Sequence, residues 1–341
     1  MLNKIESILF DCGYQKDNKG IFISGNRGYW SNLTKEDNDK FTSVLELYDP
    51  KSAVKKIIPQ LEEMIFSEKR EAALEFLNLK ENGVCIDYGC MWGVMSVGMA
   101  KRGQNVIAVD QTYDSLYFLN KRKIYENFNN INIVQDDIRK LKFKEIADYA
   151  IVNGVLEWVP EVGDIEISNY YKIREIKKYN AGSPDTMQLK FLQRVCDSLK
   201  ENGEMVLAIE NRYDYQRFIG KKDPHVNLLF TSFFPRWLSN LISKICLGRS
   251  YRSYIYSFKE LKKIINKAGF TSCEMYMSFP DYHFPSLILP YSTSGIGEYK
   301  KYENVLRTTK KQKFVYYIEY VIMKFFKMRF FSPAIILVAK K

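Results

Sequence analysis

Val84-Cys85-Ile86-Asp87-Tyr88-Gly89-Cys90-Met91-Trp92-Gly93 begins the stretch that decides the fold of this chain. It runs on through residues 94–103 into Asn105-Val106-Ile107-Ala108-Val109-Asp110-Gln111. A buried strand, a glycine turn, a helix, a second strand and an acid, in that order, make half of a nucleotide-binding α/β sheet. The tight turn lets backbone approach a ligand, and an acid after the second strand can grip a ribose hydroxyl pair. A dinucleotide fold would carry Gly-x-Gly-x-x-Gly and aim a helix N-terminus at a pyrophosphate. Here the turn is Asp87-x-Gly89-x-x-x-Gly93, led by an acid that would repel a pyrophosphate and suits a cationic ligand.

In these features the segment resembles motif I of the class I S-adenosylmethionine-dependent methyltransferases, commonly Asp-x-Gly-x-Gly-x-Gly. Their cofactor carries an ammonium and a sulfonium and no phosphate. Met91 stands where the middle glycine usually sits. The resemblance implies S-adenosylmethionine as cofactor, with Asp87, Gly89, Gly93, Asp110, Gln111, Asp137, Ile138 and Asn153 as its binding residues. Asp137 would accept from the adenine amino group and the Ile138 N–H would contact the ring; Asp136 has the alternative reading of a solvated loop acid. Where the family often has Leu-Glu-His lining the methyl-transfer cleft, this chain has Leu156-Glu157-Trp158, and Trp158 either packs against the cofactor or closes a core.

The implied fold is α/β: a Rossmann-like seven-stranded sheet with helices on both faces and a late antiparallel hairpin. The chain supplies matching elements. Helices are expected at 113–126, 184–199 and 257–268, the last with a Ser257/Glu260 capping box. Met187, Phe191, Val195 and Leu199 lie at helical spacing, and Asn202-Gly203 is read as the stop of that helix. Further strands are expected at 131–134, 148–152, 204–209, 271–277 and 334–339. Residues 1–80 are expected to form an N-terminal helical cap, with a turn at 26–31 and a charged helix over 61–79. Residues 81–341 are expected to form the methyltransferase domain, interrupted by insertions at 211–256 and 279–332 after strands five and six. Ligands bind beyond the carboxyl ends of parallel strands, so both insertions should stand over the cleft as a substrate lid or a membrane-facing surface.

Lys and Arg number 51 against 40 Asp and Glu, a net charge of +11. Residues 300–341 alone hold eleven Lys or Arg against two Glu, so the excess is local. Segment 313–331 is too charged to span a bilayer and suits a helix lying in an interface. Over 230–247, Phe230, Phe233, Phe234, Trp237, Leu238, Leu241, Ile242 and Ile245 fall on one helical face, opposite Arg236, Ser239, Asn240, Ser243 and Lys244. Core packing and a membrane surface both explain that stripe. For the basic surface the readings are an anionic membrane or lipid-linked substrate, a plain solvated face, or nucleic acid. No RNA-binding signature supports the last. Six cysteines without a Cys-x-x-Cys pair, and two histidines in all, point away from a zinc site, so no metal is expected. The N-terminus lacks a signal-like apolar core, and the protein is expected in the cytoplasm with reduced cysteines, peripheral at the inner membrane face.

The runs Glu210-Asn211-Arg212, Gly220-Lys221-Lys222-Asp223-Pro224-His225, Tyr251-Arg252-Ser253-Tyr254, Phe279-Pro280-Asp281-Tyr282-His283-Phe284-Pro285 and Asn153-Gly154-Val155-Leu156-Glu157-Trp158 resemble a bacterial subgroup of these methyltransferases associated with cell-surface polysaccharide and glycolipid assembly. The resemblance implies a glycan or lipid-linked glycan acceptor. A hydroxyl acceptor needs a base, for which His225, His283 and Asp281 are the candidates, with Glu157 and Glu210 orienting substrate or cofactor. Asp223 would fix the tautomer of His225; a loop histidine bonded to backbone is its other reading. Arg212, Arg236 and Arg252 either hold a phosphate or sugar carboxylate or pair with acids. The rival functions are a small-molecule or nucleic-acid methyltransferase and a non-catalytic scaffold, the latter suggested by Met91.

Overall fold

A computed structural model describes residues 4–25, 28–161, 165–166, 182–218, 220–292, 298, 313–314, 317–318, 320–321 and 329–341. The elements, in chain order, are α1 (Lys4–Asp11), β1 (Gln15–Lys16), β2 (Phe22–Ile23), β3 (Trp30–Ser31), α2 (Lys35–Leu45), α3 (Pro50–Ile57) and α4 (Glu62–Phe66). Then come β4 (Val84–Tyr88), α5 (Val94–Lys101), β5 (Asn105–Asp110), α6 (Tyr113–Tyr125), β6 (Ile131–Gln135), β7 (Ala147–Asn153) and β8 (Ile165–Glu166). The remainder is α7 (Pro184–Ser198), β9 (Leu199–Glu210), α8 (Arg236–Leu247), α9 (Phe258–Lys267), β10 (Ser272–Phe279), β11 (Leu287–Pro290) and β12 (Ala334–Lys340).

One mixed sheet carries the fold, in the order β1-β2-β6-β5-β4-β7-β9-β12-β10-β11. From β2 to β9 neighbours run parallel; β12 enters antiparallel between β9 and β10. Strand period explains the two cores. On β5, Val106 and Ala108 face α2, α3, α5 and α6, whereas Ile107 and Val109 face α1, α7 and α9. Strands buried on both faces read as continuous apolar runs, which is why they stood out in the sequence.

Four expectations change. The sheet has ten strands where seven were expected, because β1 and β2 extend it past β6 and β11 extends it past β10. The first 80 residues are therefore more than a helical cap: they lengthen the sheet, and Phe41, Leu45, Ala53 and Val54 join the core beneath α5 and α6. The helix expected over 61–79 is broken into α4 and a 3-10 stretch at Glu68–Phe76, with extended Ser67 between them. Asn202-Gly203 does not stop a helix. α7 ends at Ser198, and the pair lies inside β9, where the register against β7 shifts and Asn202 takes φ 63°. Among the described residues no helix is long and apolar enough to cross a membrane. Most of segment 313–331 lies outside the described residues.

α9 shows why local chemistry suffices for one boundary. Ser257 Oγ accepts from Glu260 N, and Glu260 Oε2 accepts from Ser257 N at 2.9 Å, closing the capping box. Ser257→Ala should cost about 1 kcal/mol, read as a lower urea midpoint with an unchanged m-value.

Candidate active site

The strand order turns back between β4 and β7, and open α/β sheets bind ligands at such a point. A cavity of ≈ 420 Å³ lies there, walled by residues that follow β4, β5, β6, β7 and β9, by His225, Tyr282 and His283, and by Asn32, Met64 and Arg70 from the N-terminal region. That volume is ordinary for a small-molecule site.

The turn after β4 is tight. Gly89 takes φ 69°, and a Cβ there would come within 2.8 Å of Val155 Cγ2. Met91, in the middle-glycine position, also takes a left-handed φ of 48°, so the turn keeps its shape without glycine. Its side chain packs against the core, and its N–H donates to Asp110 Oδ2 at 3.0 Å. Trp92 is buried edge-to-face between Phe41 and Phe118, which fastens α2 to the turn.

Asp87 and Asp110 lie together beneath the cavity. Asp87 accepts from Ser96 Oγ at 2.6 Å, and Asp110 Oδ1 accepts from Thr112 N at 2.8 Å. Burial pushes Asp87 up to about 7 and Asp110 up to about 6. Two buried carboxyls that are reluctant to ionise alone fit a ligand that brings positive charge. Gln111 lines the same cavity and is hemmed in by Gly28, where a Cβ would meet its Oε1 at 2.7 Å. Asn153 lines it too, its buried Oδ1 without a hydrogen-bond partner among the described residues.

At the far end Asp137 and Ile138 line the wall. Asp137 is gripped by Arg139 through both oxygens, each at 2.8 Å, and although burial raises the carboxyl, Arg139 holds it below its usual range. The alternative reading of Asp136 as a solvated loop acid does not hold. It is buried, accepting from Tyr14 Oη at 2.6 Å and Ser24 Oγ at 2.8 Å, because the N-terminal strands fold over it.

The histidines take unequal positions. His225 Nδ1 lies 3.0 Å from Asp223 Oδ1, and His225 Nε2 lies 3.9 Å from Glu210 Oε2. Burial lowers this imidazole, but the bond to Asp223 and the charges of Glu210, Asp223 and Glu157 outweigh it and hold it up at about 9. A charged imidazole has no lone pair to take a proton, which removes His225 from the role of base in this state. It is also no simple backbone-bonded loop histidine, since its ring faces carboxylates and lies 5.0 Å from the Trp158 ring. His283 also lines the cavity, stacked on Tyr282; burial, with Arg70, lowers it, so it is neutral near pH 7. Glu157 is fully buried, and burial with the Glu210 charge raises it. Asp281 is not in the wall; it accepts from Phe284 N at 2.8 Å and shapes the loop.

Nor do the three arginines reach the cavity. Arg212 pairs with Glu260, Arg236 donates to Ile255 O and lies over the Tyr254 ring, and Arg252 donates to Pro160 O. Arg212 and Arg252 pin segment 211–256 to the domain, and Arg236 ties one part of that segment to another. Sequence reasoning missed Asn32, Met64, Arg70, Arg139, Glu161 and Tyr282. Arg139, two residues beyond Asp137, and Tyr282, between Asp281 and His283, had a local signal. Glu157, Glu210 and His225 meet from three segments, so cysteine and histidine spacing had nothing to say about them.

The helix of segment 211–256 is inverted relative to ordinary packing. It starts at Arg236 behind Pro235, not at Phe230. Ser239 and Ser243 are buried, while Trp237, Leu241 and Ile245 are 68%, 49% and 75% exposed.

A family model described as a methyltransferase domain matches residues 79–269. No curated protein sequence matches the chain. Among solved structures, phosphoethanolamine N-methyltransferase 2 of Haemonchus contortus, bound to phosphomonomethylethanolamine and S-adenosylhomocysteine, is 12% identical at a TM-score of 0.47. That match covers 92% of this chain and spans 61% of that enzyme's length. Geranyl diphosphate C-methyltransferase of Streptomyces coelicolor is 12% identical at a TM-score of 0.43, covering 94% of this chain and 88% of its own. At these identities the likeness reaches no further than the fold.

The raised Asp87 has a measurable consequence. A carboxyl held above its unfolded value contributes stability that is full below about pH 4 and lost as pH rises through about 7. Asp87→Asn removes that loss. The ligand-free variant should match the parent at pH 4 and exceed it by up to about 4 kcal/mol at pH 8 in urea unfolding.

Proposed function

The chain belongs to this methyltransferase-domain family, and from that premise we propose that it is an S-adenosylmethionine-dependent enzyme that O-methylates a glycan or lipid-linked glycan at the cytoplasmic membrane face. The observation that carries the acceptor half of this reading is α8. Trp237, Leu241 and Ile245 point outward from the same segment that contributes His225 to the cavity wall. An exposed apolar face rimmed by polar residues suits insertion among lipid headgroups. Lys244 lies on that helix too, and the excess of Lys and Arg over 300–341 favours an anionic surface. With a lipid-borne acceptor, this face would bring the cavity mouth to its substrate.

S-adenosylmethionine supplies an electrophilic methyl group on a sulfonium. In this reading Asp110 and Gln111 take the ribose hydroxyls, Ile138 and Asp137 meet the adenine, and Asp87 with Asn153 face the methionine end; all six line the cavity. Met91 leaves this arrangement whole, because its backbone N–H holds Asp110 where a glycine N–H would. The turn therefore lacks the mark of a decayed scaffold. An acceptor hydroxyl must shed its proton as its oxygen is methylated. The neutral His283 on the wall takes that proton in this reading, while His225 and Glu157 hold the acceptor by charge and hydrogen bonding.

Calorimetric titration with S-adenosylhomocysteine should show micromolar binding, on the order expected for a small cofactor site. It should be lost in Asp110→Ala, and a well-folded parent without binding would sink the cofactor assignment. His283→Asn should cut kcat about 100-fold or more at unchanged cofactor affinity. Co-sedimentation with anionic vesicles should fall about tenfold or more in the combined Trp237→Ser, Leu241→Ser, Ile245→Ser variant. Unchanged sedimentation, or salt-sensitive retention of RNA instead, would remove the membrane half of the reading.

A further inference from the structure

We infer that the carboxylates of Glu157 and Glu210 and Nε2 of His225 form a binding site for a divalent first-row metal ion in the wall of the cavity. One ligand atom from each lies within 4.8 Å of the other two. The three come from different segments. Glu157 follows β7, Glu210 ends β9, and β7 and β9 pair in parallel, with Asn153 opposite Ala208. His225 returns from the following loop to close the third side.

Proximity of acids alone is common, and three further observations point to a ligand. Glu157 is fully buried, yet its Oε2 has no hydrogen-bond partner among the described residues; Tyr282 Oη donates to Oε1 at 3.5 Å. Glu210 Oε2 is likewise buried without a hydrogen-bond partner and lies 3.9 Å from His225 Nε2. Buried polar atoms left in this way are costly unless something fills the gap.

The imidazole is also built as a metal-binding histidine is built. His225 Nδ1–H donates to Asp223 Oδ1 at 3.0 Å, which leaves Nε2 facing the two glutamates, and a bound ion would take the place of the Nε2 proton of the charged imidazole. Asp223 is held in turn by the His225 N–H at 2.9 Å and by Tyr251 Oη at 3.0 Å, with Arg217 at 3.7 Å. Asp223, Tyr251 and Arg217 are all buried. A carboxylate behind a histidine fixes its tautomer and strengthens it as a ligand.

Two carboxylates and one imidazole, with no thiolate, suit Mn²⁺ or Zn²⁺ better than the all-oxygen cations. Bonds of about 2.1 Å put ligand atoms about 3–3.5 Å apart, so the three groups would close by about 1 Å around the ion. Remaining positions would face the cavity, where an acceptor oxygen could ligate. This inference uses the cavity of the proposed methyl transfer but not the identity of the acceptor.

The test uses the full chain, stripped with a chelator and titrated with MnCl₂, followed by calorimetry and by loss of the free-ion paramagnetic resonance signal, with neither methyl donor nor acceptor present. One Mn²⁺ per chain is expected. Glu210→Gln and Asp223→Asn should each weaken it about 10–100-fold, the latter without touching the ion. Glu210 lies partly exposed at the rim, so its variant tests the site even if Glu157→Gln fails to fold. Absence of binding by both MnCl₂ and ZnCl₂, or binding unchanged in Glu210→Gln and Asp223→Asn, would overturn the site and leave the cluster balanced by protons. Titration of S-adenosylhomocysteine on the same samples separates the two readings. Metal lost with cofactor binding intact removes only the metal site, and the reverse removes only the cofactor assignment.

Discussion

The carboxylate of Asp110 fastens together everything the cavity needs. One oxygen takes the Met91 N–H and the other the Thr112 N–H, so the turn after β4 and the first turn of α6 hang on a single buried side chain. Each orphan N–H gains a charged acceptor, and the acceptor is kept in a place where water does not compensate it. That is a costly way to hold a turn in the absence of ligand. It is an effective way to leave negative potential at the point where a ribose and a cation would lie. Asp87 repeats the device on the neighbouring strand, accepting from Ser96 Oγ. The site is thus organised by carboxyls under electrostatic stress.

The N-terminal region turns that arrangement from an open edge into a chamber. Trp92 meets Phe41 of α2; Tyr14 and Ser24 take up Asp136; Asn32, Met64 and Arg70 complete the wall. The Tyr14 and Ser24 contacts reach Asp136 across 122 and 112 positions, and β1 and β2 beside them supply two of the three strands beyond the expected seven.

Legibility in the sequence followed the range of the forces involved. β4, β5, β6 and β7 are short apolar runs buried on both faces, and their positions were readable to within a residue or two. The Ser257/Glu260 box, likewise local, marked the start of α9. Asp110 and the glycines of the turn could be nominated because strand-turn-helix geometry is encoded within ten residues. Long-range contacts were not readable. Nothing near Asp136 announces Tyr14, and nothing in the arginine spacing says that Arg212 faces Glu260 rather than a ligand. The two histidines were both nominated, but their charge states depend on which carboxylates the fold sets beside them. α8 was misread in span and left open in orientation, since periodicity finds two faces and cannot say which one meets water.

The place of β12 bears on how such a chain is made. Residues 334–340 lie between β9 and β10, paired to Ala208 on one side and Tyr276 on the other through Ile336. During synthesis every other strand of the sheet leaves the ribosome before this one. Until it arrives, β9 and β10 each present a bare edge of apolar residues, the kind of surface on which nascent chains aggregate and chaperones act. The parallel half can assemble early, around β4 and β5, but the sheet becomes continuous only with the last strand threaded into its middle.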